Sequence, residues 1–202
     1  MPDTPWTGRL LPPAPVSDAH DLSRFDSGVD TINTFLKNNA LSNHREKYSL
    51  VLVLADEAHV VFGYYALAIG QVSRKVGTKG KARRGAPANI PAVILGRLGV
   101  DRGLQGMGAG RDLLAHAIGA SLMLAQGNEA GPTPPISVMA IKALNERVAS
   151  FYQRVGFQAF DPEYPLELVR SIRDLMADHE TAMTEVRKTW GAPTGQHAGS
   201  AR

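Results

Sequence analysis

Two short stretches of this chain combine residue types and spacings suited to chemistry. The first is Gln105-Gly106-Met107-Gly108-Ala109-Gly110-Arg111, which leads into a segment with helical apolar periodicity. Amides at a helix N-terminus have no intrahelical acceptor, and the helix dipole adds partial positive charge there. Glycines let the backbone adopt φ > 0 and approach a ligand closely, so the stretch suits a phosphate or pyrophosphate. A glycine-rich turn chosen only for its tightness would read the same way. The second stretch is Asn145-Glu-Arg-Val-Ala-Ser-Phe-Tyr152. A phenol is protonated at neutral pH, so Tyr152 can donate a proton or a hydrogen bond. Val148, Phe151, Tyr152 and Val155 also recur at helical spacing, so Tyr152 equally fits an apolar helix face. Asn145 fits an N-cap.

The identity of the phosphate ligand is narrowed by what the turn lacks. A nucleotide-hydrolysing P-loop needs Gly-Lys-Ser/Thr at the helix start, whereas Arg111 and Asp112 follow the last glycine here. The dinucleotide fingerprint Gly-x-Gly-x-x-Gly fails across 106–111. No acidic residue follows at a strand end about 20 positions on, since Glu129 falls in a loop.

The elements that must position these groups follow from periodicity. Residues 27–45 read as a helix, with Ile32, Phe35, Leu36, Ala40 and Leu41 on one side and Ser27 or Asp30 as its cap. Residues 48–56 and 59–73 read as adjacent strands joined by a short turn, and 92–101 as a buried strand feeding the glycine turn. A helix follows, with Leu113, Leu114, Ala117, Ile118, Ser121 and Leu122 on one side. Then come a loop (126–135), a strand (136–141), a helix (145–157) ended by Gly156, and a last strand (165–172). Residues 1–19 read as a Pro-rich lead-in, 20–172 as one α/β (α+β) domain, and 173–202 as a C-terminal helix with a frayed tail.

Composition bounds the classes. With 202 residues, 44% hydrophobic and 20% charged, the chain suits a folded domain with a real core. There is no cysteine, which excludes disulfides and a thiolate nucleophile and fits a reducing, cytoplasmic setting. No run reaches the ~18–20 apolar residues of a membrane helix, and the start does not read as a secretory signal. The histidines show no metal spacing and are assigned to the surface. Net charge is only +3, yet no Asp or Glu occurs from Ala58 to Val100, a span carrying Arg74, Lys75, Lys79, Lys81, Arg83, Arg84 and Arg97. All but Arg97 fall in a long Gly- and Pro-containing loop (73–91), a patch able to attract a nucleic-acid backbone or simply to stay solvated. Arg97 sits in a strand, either facing an acceptor or pairing with a buried carboxylate.

Gln105, Gly108 and Gly110 spell Gln-x-x-Gly-x-Gly, which resembles the coenzyme A pyrophosphate loop of GNAT-family N-acetyltransferases. ISVMAI, followed by NERVASFYQRVGF, is similar to that family's second half-motif. The resemblance implies a mixed, mostly antiparallel sheet flanked by helices and splayed between two central parallel strands, here 92–100 and 136–141. Acetyl-CoA would enter that gap. It further implies that backbone amides of Met107 to Arg111 (Met107, Gly108, Ala109, Gly110, Arg111), within the turn opened by Gln105 and Gly106, hold the pyrophosphate. Main-chain groups of the segment Leu98, Gly99, Val100 would pair with pantetheine, Asn145 would bond the pantetheine arm, and Tyr152 would protonate the departing thiolate. No general base is evident; Glu57 and His59, at a turn, are weak candidates.

Three further stretches, Phe25 to Gly28, Gly63 to Tyr65 and Leu95 to Asp101, resemble the GNAT toxins of bacterial toxin–antitoxin pairs. Gly99 stands where that group more often has Ala, a departure expected to change little. The resemblance implies acetylation of the α-amine of aminoacyl-tRNA and a block of translation. Arg74, Lys75, Lys79, Lys81, Arg83, Arg84 and Arg97 would then serve tRNA binding. It implies a ribbon-helix-helix antitoxin as partner, and a homodimer. The alternatives are a GNAT acting on a small amine or a protein N-terminus, a non-catalytic acyl-CoA-binding module, and a nucleic-acid-binding protein whose glycine turn grips a backbone phosphate.

Overall fold

The computed structural model describes residues 8–73, 88–127 and 134–178. One seven-stranded sheet runs through it in the order β1-β2-β3-β4-β5-β7-β6. The strands are β1 (Ala14–Pro15), β2 (Leu50–Ala55), β3 (Val61–Ser73), β4 (Asn89–Val100), β5 (Val138–Lys142), β6 (Gln158–Ala159) and β7 (Glu167–Ser171). Every neighbouring pair is antiparallel except β4 and β5. The α/β fold with two central parallel strands is therefore as expected from the sequence.

The strands read as near-continuous apolar runs because both faces of the sheet are covered. In β2, Leu52 and Leu54 join one core with the long helix α3 (Ala109–Gln126) and with α4 (Glu146–Gln153). Val51, Val53 and Ala55 point the other way, into a second core with Phe25, Leu36 and Ala40. Two helices lie over that second face, α1 (Asp30–Asn38) and α2 (Ala40–Arg45). Residues 172–178 are also helical (α5), and Leu175 joins the first core.

Consecutive tyrosines make the two-sided arrangement explicit. Tyr64 and Tyr65 are both fully buried on opposite faces of β3. The Tyr64 hydroxyl donates to the Ile32 carbonyl of α1 at 2.8 Å. The Tyr65 hydroxyl is hydrogen-bonded to His116 Nδ1 of α3 at 2.9 Å. The Gly-Tyr-Tyr stretch thus ties one helix to each face. His116 is a correction to the surface assignment of the histidines: burial lowers its pKa and Tyr65 satisfies it.

Several sequence expectations are refined. The helix expected over 27–45 is broken at Asn39 (φ −123°), giving α1 and α2. Neither Ser27 nor Asp30 caps α1; its N-cap is Val29, while Ser27 Oγ accepts the Val29 amide at 3.2 Å. The strand expected over 92–101 starts earlier, at Asn89, because Asn89 to Pro91 extend its pairing with β3. The two-residue β6 carries too little periodicity to be read from sequence; the turn through Gly156 (φ +86°) delivers it to β7. In the Pro-rich stretch, Ala14 and Pro15 pair with Val53 and Leu52, and Val16 is buried. No helix among the described residues is long and apolar enough to cross a membrane.

Candidate active site

The parallel ladder between β4 and β5 ends at Leu95↔Ile141, yet β4 continues to Val100. The cause is local. Opposite β4, the register with β3 shifts between Ala66 and Leu67: Ala66 pairs with Arg97 and Leu67 with Leu95, so Gly96 is an extra residue. A bulge of this kind bends its strand and increases the twist. The bend falls where the ladder with β5 ends, β5 itself stopping at Lys142, so residues 96–100 have no β5 partner and border a cleft.

That cleft is lined by Leu95 to Val100, by Ser27, Val29 and Ile32 from the α1 side, by Gln105, and by Lys142, Leu144, Val148 and Tyr152 beyond β5. The structure therefore brings Leu98, Gly99, Val100 and Tyr152 to one cavity, although some 50 residues of chain separate β4 from α4. Alternation along β4 sorts the walls. Leu98 and Val100 belong to the core under α3, whereas Gly99 faces α1. A Cβ on Gly99 would lie 2.5 Å from Ile32 Cγ2 and 3.0 Å from Tyr64 Cε1. The expectation that glycine at this position changes little is thus refined: an alanine here would require the Ile32 side chain to shift, so glycine lets α1 sit closer.

The glycine turn stands at the end of β4. The chain leaves Asp101 through a 3-10 turn (Arg102–Leu104). Gly106 has φ +77° and Gly108, the N-cap of α3, has φ +93°; nothing lies within 4 Å of a Cβ built on either. The positive φ values call for glycine, and the open space leaves room for a ligand against the backbone. Among the described residues, the amides of Gly106, Gly108, Ala109 and Gly110 donate to no backbone acceptor. Met107 and Arg111 already donate, to the Leu104 carbonyl at 3.4 Å and to the Gly108 carbonyl at 2.8 Å. The free amides are thus Gly106 and Gly108 to Gly110. A diphosphate fits such a cradle, since its oxygens are acceptors only. The Gln105 side chain faces away from that role: its Nε2 donates to the Ser27 carbonyl at 2.8 Å and the Val100 carbonyl at 2.9 Å.

Tyr152 lies at the opposite wall. Its ring packs edge-on against Phe151 and Phe157, and the residue is only 6% exposed. Burial pushes the phenol up to about 12, so it stays protonated through the physiological range. No hydrogen bond joins its hydroxyl to another described residue, and it lines the cleft. Asn145, exposed, is the N-cap of α4, its Oδ1 accepting the Val148 amide at 3.0 Å. The capping reading is therefore realised, and α4 is held with Tyr152 two turns further on.

The cleft rim is cationic. Arg97 is exposed, with its guanidinium 5.4 Å over the Phe35 ring, and it pairs with no carboxylate among the described residues. Lys142, which the sequence analysis did not single out, adds a second cation, 3.9 Å from Glu167. No carboxylate is among the residues that line the cleft. Glu57 and His59 do not line it; Glu57 lies 3.7 Å from Arg9 and His59 packs on His20. Arg74, Lys75, Lys79, Lys81, Arg83 and Arg84 lie outside the described residues.

Comparison with known proteins agrees with this geometry. No protein-family model matches the chain. The chain is 34% identical over 165 residues to a tRNA-acetylating toxin of Mycobacterium tuberculosis (strain ATCC 25618 / H37Rv), covering 82% of this chain and 94% of that protein. Among solved structures, AtaT complexed with acetyl-methionyl-tRNAfMet superposes with a TM-score of 0.71 at 31% identity, covering 83% of this chain and 98% of that one. A Tyr-to-Phe mutant of AtaT, bound to the C-terminus of the antitoxin AtaR and to acetyl-CoA, gives 0.67 at 30% identity, covering 83% and 96%.

Proposed function

The chain belongs to the tRNA-acetylating toxins, which share the GNAT fold, and from that premise we propose that it moves an acetyl group from acetyl-CoA to the α-amine of aminoacyl-tRNA. An acetylated α-amine cannot attack in peptide-bond formation, so translation stops. The observation that carries the reading is the cleft that begins at the Gly96 bulge. It is lined by Tyr152 and by Gln105, the residue that opens the glycine turn whose free amides start α3.

Bound acetyl-CoA supplies an activated acetyl thioester. The amides of Gly106 and Gly108 to Gly110 hold its diphosphate, with the α3 dipole adding to the attraction. The backbone of Leu98 to Val100, released from β5, offers strand-like pairing to the pantetheine amides. The neutral amine attacks the thioester carbonyl, the C–S bond breaks, the amine's surplus proton passes to solvent and one returns to the sulfur, while Tyr152 donates a hydrogen bond to that sulfur as it leaves. Its raised pKa makes it a weaker acid than a thiol, for which ~8.5 is usual. The phenol therefore acts mainly as a hydrogen-bond donor that steadies the leaving charge. The amine needs little help, because an α-amine titrates near 7.7–8.0, well below a lysine, and a useful fraction is neutral at pH 7. This fits a cleft without a carboxylate base.

Arg97 and Lys142 at the rim suit an anionic acceptor rather than a polyamine. The span rich in Arg74, Lys75, Lys79, Lys81, Arg83 and Arg84 extends that preference to the tRNA backbone. Charged tRNA is a cytoplasmic substrate, which supports a cytoplasmic setting for the proposed reaction. The partner is taken to be an antitoxin of ribbon-helix-helix type whose C-terminal segment covers the toxin, as AtaR's C-terminus binds AtaT, with the toxin itself a homodimer.

The test is incubation of the protein with labelled acetyl-CoA and a pool of charged tRNAs, beside Tyr152→Phe. Label in the tRNA fraction, reduced in the variant by about 10²–10⁴-fold, is expected. Label passing to small amines or peptides and not to tRNA would overturn the acceptor and keep the donor site.

A further inference from the structure

Two of the sequence stretches singled out above, Phe25 to Gly28 and Leu95 to Asp101, are joined in a way that the chemistry just described does not use. The structure shows them bonded to each other. Asp101 Oδ2 accepts the Asp26 amide at 2.8 Å, and its Oδ1 accepts the Gly103 amide at 2.9 Å. The Arg102 amide donates to the Asp26 carbonyl at 2.9 Å, and the Arg102 guanidinium lies 3.4 Å from the Asp26 carboxylate. Gln105 Nε2 bridges the Ser27 and Val100 carbonyls. The loop is then tied into α1: Asp26 Oδ1 accepts from Gly28 N and Asn33 Nδ2, each at 2.8 Å, and the Ser27 amide donates to Asn33 Oδ1 at 2.8 Å.

These bonds connect the two sides of the cleft. Asp101 and Gln105 bracket the turn that leads to the free amides. Ser27, Val29 and Ile32, which the same bonds place, form the wall on the α1 side. Gly28 has φ +79°, a left-handed backbone that favours glycine at this point of the loop. The Gln105 amide group spends two donors on backbone carbonyls, one from each side, which is a bridging use rather than a ligand contact.

We infer that Gln105 and Asp101 are positioning residues that couple occupancy of the glycine turn to the placement of the α1-side wall of the cleft, residues 26–33. The inference rests on the function proposed above. A ligand on the amides of Gly106 to Gly110 restrains the turn, the Gln105 and Asp101 bonds restrain loop 26–28, and α1 follows. The coupling is reciprocal in binding free energy.

Coenzyme A itself is the probe. Amide hydrogen exchange is measured on the full chain with and without saturating coenzyme A, in the parent and in Gln105→Met, which keeps the stem and removes the donors. Asp101→Asn, which turns one acceptor into a donor facing an amide, is the second variant. In the parent, coenzyme A should slow exchange in segment 26–33 by roughly five- to hundredfold, the span common for coupled sites. In either variant that slowing should vanish while protection at 106–111 persists. A merely structural role would raise exchange in 26–33 equally with and without ligand. Coenzyme A protection at 106–111 with no change at 26–33 in the parent overturns this inference alone. Failure of coenzyme A to bind the parent at all overturns the donor site with it.

Discussion

The Asp101 carboxylate accepts the backbone amide of Asp26 at 2.8 Å, across 75 positions of chain. This bond fixes where the N-terminal loop meets the end of β4, and so fixes one wall of the cleft. The Asp26 carboxyl is itself held below its usual range by bonds from Gly28 N and Asn33 and by the Arg102 charge. It stays ionised as a local hub.

Replacing Gly108 tests the donor cradle. At φ +93° with open space in front, Gly108→Ala pays for backbone conformation alone, about 1 kcal/mol of stability. The larger effect is expected on the donor: a methyl group beside the free amides should raise the acetyl-CoA KM and leave the aminoacyl-tRNA KM nearly unchanged. Calorimetric titration with coenzyme A and a thermal melt separate the two.

Gly99→Ala tests the close approach of α1. The added carbon would meet Ile32, Tyr64 and Phe25 within 3.2 Å, and overpacking of this kind costs about 1–3 kcal/mol. Ile32→Ala in the same chain should recover much of the loss, because it removes the nearest atom. Chemical denaturation of the two single variants and the double variant gives the coupling; simple additivity would contradict the steric account.

The half-buried His116 contributes a pH dependence to stability. His116 has its pKa lowered by burial, so its neutral form is favoured in the fold. Its contribution is fully present above the unfolded value of about 6.5 and is lost as pH falls from there through the lowered folded value. His20 and His44, also lowered by burial, act in the same direction. His116→Gln should flatten the acid side of a Tm-against-pH curve without removing it. An unchanged slope would show that His116 does not contribute.

Neutralising Arg83 and Arg84 together should weaken acetylation of charged tRNA and make the residual activity less sensitive to salt, with coenzyme A affinity unchanged. Activity equal to the parent across a salt series would remove tRNA binding from that span.

The sequence by itself determined the elements and their chemistry. Periodicity marks β2, β3, α3 and α4, and the glycine turn declares its left-handed backbone, because these are properties of neighbouring residues. Asn145 and Tyr152 share one short helix for the same reason. What only the tertiary structure decided are relations between distant segments. The bulge at Gly96 arises from the register of β3 against β4 and falls where the ladder with the short β5 ends, which is where the cleft begins. The nearness of Ile32 favours glycine at position 99. Lys142 becomes a rim cation only when β5 ends beside β4. Gln105, legible as part of a phosphate loop, turns out to bridge two carbonyls 73 residues apart, from Ser27 to Val100. Local pattern encodes backbone propensity and amphipathic faces; contacts over such separations depend on how the faces pack, and no single stretch of sequence carries that information.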